Sequence, residues 1–134
     1  MRPVLVDSNV ILDVVTEDAE WFTWSAATLA AEAERASLVV NPVIYAEVSV
    51  GFSRIEDLEE VLPGDFFLRS PLPWEAAFLA GKAFLHYRRG GGTRRSPLPD
   101  FFIGAHAAVA NLRLLTRDAS RYAAYFPSLE IISP

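Results

Sequence analysis

Five short apolar runs punctuate the chain: PVLVD (3–7), SLVVN (37–41), DFFLRS (65–70), RLLT (113–116) and LEIIS (129–133). Each is short, bounded by polar or turn residues, and rich in Val, Leu, Ile or Phe, which predicts buried strands. Between them the apolar positions fall at helical spacing. NVILDVVT follows the first strand, with Ser8 or Asn9 placed to cap a helix. Residues 20–36 combine Ala and Leu content with helical periodicity and predict a strong helix. Pro42 suits the first position of a helix that continues through VIYAEVSVGF. EDLEEVL predicts a short acidic helix that Pro63 and Gly64 end. A long helix is expected from about Pro73 to Arg89, another from Pro99 or Asp100 to about Asn111, and a short one over ASRYAAYF. Three glycines, with Pro97 and Pro99 after them, make GGGTRRSP (90–97) the one clear loop. Strands alternating with helices imply an α/β domain with a mostly parallel central sheet. No linker divides the chain, so residues 1–134 are expected to form a single domain.

Composition narrows the function classes. Apolar residues make up 51% of the 134 and charged residues 22%, which argues against disorder. No apolar run approaches the roughly 20 residues of a membrane span, and no leader pattern opens the chain. Cysteine is absent, which excludes disulfides and thiolate metal sites and fits a cytoplasmic protein. The formal net charge is −5. A protein that grips nucleic acid by bulk charge is normally basic, so a role on nucleic acid has to rest on a local basic patch or a bound cation.

Four carboxylates occupy corresponding places in this scheme. Asp7 ends the first strand, and Glu47 lies on the helix after the second. Asp100 opens the helix after the glycine loop, and Asp118 follows the strand RLLT. Ligands of parallel α/β sheets collect outside the carboxyl ends of the strands. Acids gathered there repel one another, and a hard cation such as Mg²⁺ or Mn²⁺ resolves that repulsion while bridging to phosphate. Each acid alone has a plainer reading. Asp7, Asp100 and Asp118 are all suited to capping helices or turns. Glu47 has an apolar surround, in which an unpaired acid is costly.

The order and spacing of four motifs resemble PIN-domain ribonucleases, and most of all the toxins of VapC type. The motifs are VDSNVILD, NPVIYAEVSVGF, LPDFFIGAHA and LLTRDASRY, and together they cover nearly the whole chain. Ser8 stands where the family more often has Thr, which keeps the hydroxyl. The resemblance implies a three-layer α/β/α domain and an endoribonuclease dependent on Mg²⁺ or Mn²⁺. Asp7, Asp100 and Asp118 would hold the metal directly or through water, and Glu47 would complete the acidic pocket. Cleavage would leave a 5′-phosphate and a 3′-hydroxyl. The resemblance also implies a cognate antitoxin whose segment covers the pocket, and a homodimer. Asn9 is placed to orient Asp7 or a metal-bound water, or else to cap a helix; Ser8 and Thr116 offer hydroxyls at the same edge.

Arg88, Arg89, Arg94 and Arg95 make the one dense basic patch, just upstream of Asp100. They are candidate RNA contacts through bidentate phosphate binding, or a solvated loop whose first two arginines favourably end a helix. Trp21, Phe22 and Trp24 are suited to stacking bases, but their helical spacing favours core or interface. The resemblance makes Trp21 and Trp24 candidate antitoxin contacts. His86 and His106 have no partner at ligand spacing and read as structural. Other readings stay open: a PIN nuclease of RNA processing, and a non-catalytic acidic-pocket module that binds Mg²⁺. A receiver domain fits poorly, because the mid-chain acid is Glu47 and the single lysine, Lys82, lies on a different element.

Overall fold

A computed structural model describes residues 1–95 and 98–134. Among these residues the chain forms five strands and seven helices. In chain order they are β1 Val4–Val6, α1 Ser8–Val15, α2 Phe22–Ala33, β2 Leu38–Val40, α3 Pro42–Ser49, α4 Ile55–Val61, β3 Phe67–Arg69, α5 Trp74–Arg89, α6 Pro99–Val109, β4 Arg113–Leu115, α7 Ser120–Tyr125 and β5 Ile131–Ile132. Each lies where the apolar pattern places it, with ends that differ by at most three residues; α1 and α4 each begin one residue earlier than expected. The expected loop over 90–97 begins as anticipated after α5; its last two positions, 96 and 97, lie outside the described residues.

The strands form one sheet in the order β3-β2-β1-β4-β5, and every pairing is parallel. The central strands β1, β2 and β4 are buried along their whole length. That is why they read as unbroken apolar runs instead of alternating ones. Val4, Leu5, Val6, Leu114 and Leu115 have no exposed surface, and each such side chain contributes about 1.5–3 kcal/mol by leaving water. The edge strand β3 buries Phe67 alone.

Small residues set the helix packing. The buried positions of α5 are Ala76, Ala80 and Ala83, a stripe that lets its backbone come close to α6. In α6 a Cβ added at Gly104 would lie 2.4 Å from the Phe126 ring and 3.1 Å from the Tyr122 ring. Glycine at 104 therefore allows α7 to dock on α6. The other side of the sheet is braced by ion pairs. Arg113 Nη1 lies 3.0 Å from Glu32 Oε1, both nearly inaccessible, which joins β4 to α2. Asp13, on α1, is 2% exposed. It accepts two bonds from the Arg117 guanidinium, at 2.9 and 3.1 Å, and one from the Ser25 hydroxyl at 2.8 Å.

Candidate active site at the carboxyl edge of the sheet

Asp7 is where the site begins. It follows β1 directly, and its backbone N–H still donates to Leu115 O, 2.9 Å away, so the β1–β4 ladder fixes its position. It is also the N-cap of α1, one of the two roles its position allowed, while Ser8 and Asn9, the other cap candidates, fall inside the helix. Its Oδ1 accepts from Ser8 N at 2.8 Å. The cap and the acidic site are thus the same residue. Its Oδ2 accepts from the Thr116 hydroxyl at 2.9 Å and from the Tyr122 hydroxyl at 2.9 Å. Only 4% of Asp7 is exposed.

The parallel sheet delivers the other groups to the same edge. Thr116 follows β4, and Asn41 and α3 follow β2. Glu47, one and a half turns into α3, accepts from the Ser8 hydroxyl at 2.9 Å. Asp100 lies in the first turn of α6, capped instead by Leu98 without a side-chain bond, so Asp100 has no capping role. Its Oδ1 lies 3.3 Å from the Tyr122 hydroxyl. Asn9 donates to Thr116 Oγ1 at 3.2 Å and accepts from Arg117 N at 3.2 Å, fastening α1 to the end of β4. Asp118 stands apart. It is exposed at the rim, and its Oδ1 accepts from the backbone N–H and the hydroxyl of Ser120 at 3.3 and 3.0 Å. The structure therefore brings Asp7, Glu47 and Asp100 together, with Ser8, Asn9 and Thr116 among them, and leaves Asp118 beside them.

Burial and mutual repulsion shape the electrostatics. Burial pushes the Asp7 carboxyl above its usual range against the pull of the Tyr122 and Thr116 hydroxyls, and the charge of Asp100 adds to the rise. Glu47 is raised by burial, with the Ser8 bond opposing and Asp7 and Asp100 reinforcing. Asp100 is raised by burial too, opposed chiefly by the Arg121 guanidinium. Buried beside these carboxylates, the Tyr122 phenol stays protonated throughout the ordinary pH range.

Tyr122 and Arg121 are the residues that sequence reasoning missed. Both lie on the short helix after Asp118, at the i+3 and i+4 positions from it. Asp118 lies outside that helix, so helical spacing does not tie it to them, and the sequence carries no signal that marks either residue. Arg117 has a structural partner in Asp13, and its guanidinium carbon lies 5.4 Å from the Trp21 ring centroid. Trp21 and Trp24 meet edge to face, centroids 6.4 Å apart, and both are half-buried. His106 is fully buried, bonded to Asn41 across 2.9 Å, and burial holds its pKa down. His86 packs edge to face on Tyr125.

The basic loop is anchored near the site. Thr93 N and Arg94 N donate to the Tyr87 hydroxyl at 3.2 and 3.4 Å, and Arg88 donates to Arg94 O at 2.6 Å. Tyr87 in turn packs on Phe101, next to Asp100. Arg88, Arg89, Arg94 and Arg95 are all exposed.

Carboxylates and hydroxyls, with no thiolate or imidazole among them, are the donor chemistry of a hard divalent cation. Among the described residues no three acids or histidines stand close enough to hold an ion as they are. The Asp7 oxygens are filled by Ser8, Thr116 and Tyr122. Donor type fits the ion; the closed coordination sphere is not preformed.

The description of the PIN domain matches residues 4–126. No curated protein sequence matches the chain. Among solved structures, the fold is similar to a chain of VapBC2 from Rickettsia felis bound to a promoter DNA fragment, at 14% identity and a TM-score of 0.76, covering 98% of each chain. It is similar to a chain of DNA-bound VapBC from Salmonella typhimurium, at 18% identity and 0.72, covering 99% of this chain and 98% of that one. A toxin–antitoxin complex from Klebsiella pneumoniae supplies a third, at 21% identity and 0.67, covering 96% and 95%. The sheet order, the acids at its carboxyl edge and a match that runs from the first strand through the last helix lead to one conclusion: the chain belongs to the PIN domain family.

Proposed function

We propose that this protein is a metal-dependent endoribonuclease and the toxin of a toxin–antitoxin pair. The observation that carries the reading is the convergence of Asp7, Glu47 and Asp100 at one sheet edge, all raised above their usual pKa by burial. Nearby, Arg121 is the cation that opposes the rise at Asp100. Three such acids serve no packing purpose; as a cation site they are explained.

Mg²⁺ or Mn²⁺ would be held by Asp7 and Asp100, with Asp118 at the rim, directly or through water. When bound, the ion would supply positive charge beside a phosphate and lower the pKa of a water molecule. The chain's own groups do the rest. Thr116 and Tyr122 fix the rotamer of Asp7, Ser8 holds Glu47, and Asn9 locks α1 to β4 so that these groups keep one geometry. Glu47 is the acid available to accept a proton. The arginines of the anchored loop are placed to meet the RNA backbone, which compensates for a net charge of −5.

An apolar groove of about 600 Å³ runs between α1, α2 and α4, walled by Ile11, Val14, Leu29, Ala33, Val61 and Phe66. It suits a hydrophobic segment of the antitoxin, and the toxin–antitoxin complexes of similar fold support that occupant. Trp21 and Trp24 are not in its lining among the described residues. They remain candidate contacts of the partner at the start of α2. A homodimer is proposed through α5, whose Trp74, Phe78 and Leu85 are 87%, 69% and 40% exposed. No described helix is long and apolar enough to cross a membrane.

The test is cleavage of a panel of structured RNAs by the purified chain with Mn²⁺, Mg²⁺ or EDTA, beside Asp100→Asn. Cutting that needs metal and is lost in the variant supports the reading. Metal binding without cutting, equal in both proteins, would sink it in favour of a binding module.

A further inference from the structure

Two hollows lie beside the acids and share the ring of Pro42 as a common wall. The first, about 340 Å³, opens between α3 and α6 and is lined by Val43, Ala46, Glu47, Pro99 and Phe102. It borders the site directly, because Glu47 is bonded to Ser8 and Pro99 precedes Asp100. The second, about 300 Å³, sits at the carboxyl ends of β2 and β3, among Asn41, Tyr45, Arg69, Ser70 and Pro71. Both lie at the edge where the sheet presents its catalytic groups.

We propose that the second hollow is a nucleobase subsite, which receives an unpaired base of the RNA strand whose backbone passes the acids through the first. The proposal rests on the ribonuclease reading and deepens it by naming where specificity is read.

The walls suit a flat ring. The Arg69 guanidinium carbon lies 5.2 Å from the Tyr45 ring centroid, and the rings of Pro42 and Pro71 complete an apolar enclosure. Unpaired bases stack on such aromatic and guanidinium planes. Glu59 pairs with Arg69 and accepts from the Tyr45 hydroxyl at 3.1 Å. This does two things. It holds both planes in place, and it neutralises the guanidinium, so the hollow favours an uncharged base over a phosphate.

The floor carries a directional donor. Asn41 Oδ1 accepts from Ile44 N at 2.9 Å, which fixes the orientation of its amide. Its Nδ2 then donates to His106 Nδ1 at 2.9 Å. That leaves the imidazole proton on Nε2, which faces Ser70 Oγ at 3.4 Å. The Ser70 hydroxyl is thereby set to accept from His106 and to donate its own proton outward. Its present acceptor is the neighbouring Pro71 O, 3.3 Å away. A carbonyl or ring-nitrogen acceptor on a base would take that proton with better geometry. Buried His106 acts here as a relay that aims a serine.

The experiment uses the full-length chain with Tyr45→Ala and Ser70→Ala. Binding of fluorescein-labelled single-stranded homopolymer oligoribonucleotides of each base is followed by anisotropy in EDTA, and cleavage is followed with Mn²⁺. Tyr45→Ala is expected to weaken binding of the preferred homopolymer at least about fivefold, with KM rising more than kcat falls. Ser70→Ala, which removes a hydroxyl and leaves the buried His106 Nε2–H without its acceptor, is expected to lower the folding transition modestly while keeping it cooperative, and to flatten the preference among the four bases. If the parent binds and cuts RNA while both variants match it on every oligonucleotide, the subsite is wrong and the nuclease stands. A parent that neither binds nor cuts takes both readings down. If Tyr45→Ala alters the mass in light scattering and leaves RNA affinity untouched, the hollow is a protein interface and the proposal is overturned.

Discussion

Asp7 is a strand end, a helix cap and a site acid at once, and its cost is visible in its environment. The residue is held by three hydrogen bonds yet sits above its usual pKa. Tyr122 is the group that makes this tolerable, with one hydroxyl between Asp7 and Asp100. Tyr122→Phe keeps the ring that fills the core and deletes that hydroxyl. The metal-free chain should lose about 0.5–1.5 kcal/mol in urea unfolding, and metal-dependent cleavage should fall because two carboxylates lose their common anchor. Asp100→Asn should act in the opposite direction on stability. Because the folded chain raises the pKa of Asp100, the folded state binds this proton more tightly than the unfolded one. The penalty is therefore absent at low pH and grows as pH rises through the unfolded value of about 3.9 toward the higher folded one. Melting curves without metal should show the gap between Asp100→Asn and the parent opening over that window. A saturating divalent ion should close it by stabilising the parent alone. A variant that melts well below the parent at neutral pH would make Asp100 a structural residue.

At the level of elements, the contact between α6 and α7 decides whether the site is formed. Alanine is the better helix former by about 1 kcal/mol, so an exposed Gly104 would gain from substitution. Here Gly104→Ala drives a Cβ into Phe126 and toward Tyr122. It should lower the denaturation midpoint and reduce cleavage together, since the displaced helix carries the Tyr122 hydroxyl. A second tie joins α1, α2 and β4 through Asp13. Arg117→Ala would leave a 2%-exposed carboxylate with only the Ser25 bond. Because Arg117 is itself partly solvated, the loss expected in urea unfolding is roughly 2 kcal/mol, below the roughly 3–5 kcal/mol of a fully buried pair. These ties explain what could be read from the sequence. VLV, LVV and RLL are legible as strands because complete burial makes them continuously apolar, and the acids that follow are legible by position in the topology. Tyr122 is not, because an aromatic residue on an apolar face looks like core until another element brings carboxylates to its hydroxyl. The cap of α1 is ambiguous for a related reason: Asp7 does two tasks at once, and the pattern offers the cap to Asp7, Ser8 and Asn9 alike. Gly104 reads as one small residue among several, and its purpose depends on a ring 22 positions away.

Across the whole molecule the two edges of the sheet are built for different ends. The carboxyl edge gathers acids whose burial, and to a lesser degree mutual repulsion, disfavours their charged forms. The opposite edge holds the Glu32–Arg113 pair, where the Arg35 bond and Arg113 hold Glu32 below the usual carboxylate range. That group contributes stability above the unfolded glutamate value, and the contribution is lost as pH falls through its lower folded value. Glu32→Gln should cost about 3 kcal/mol at neutral pH, because it leaves Arg113 nearly buried without its counter-charge. The difference should shrink as pH falls below the unfolded glutamate value and disappear only below the lower folded one. The sheet order carries one more consequence, in time. The residue at position 7 is completed by a hydroxyl at 116 and another at 122, so the center is closed by partners 109 and 115 residues downstream. During synthesis at about 5–20 residues per second, the first strand leaves the ribosome several seconds before either hydroxyl exists. For that interval the nascent chain carries Asp7 without the two hydroxyls that hold it, and Asp100 is itself made only 16 residues before the first of them. The activity proposed for this edge therefore cannot arise on the nascent chain until α7 has been made.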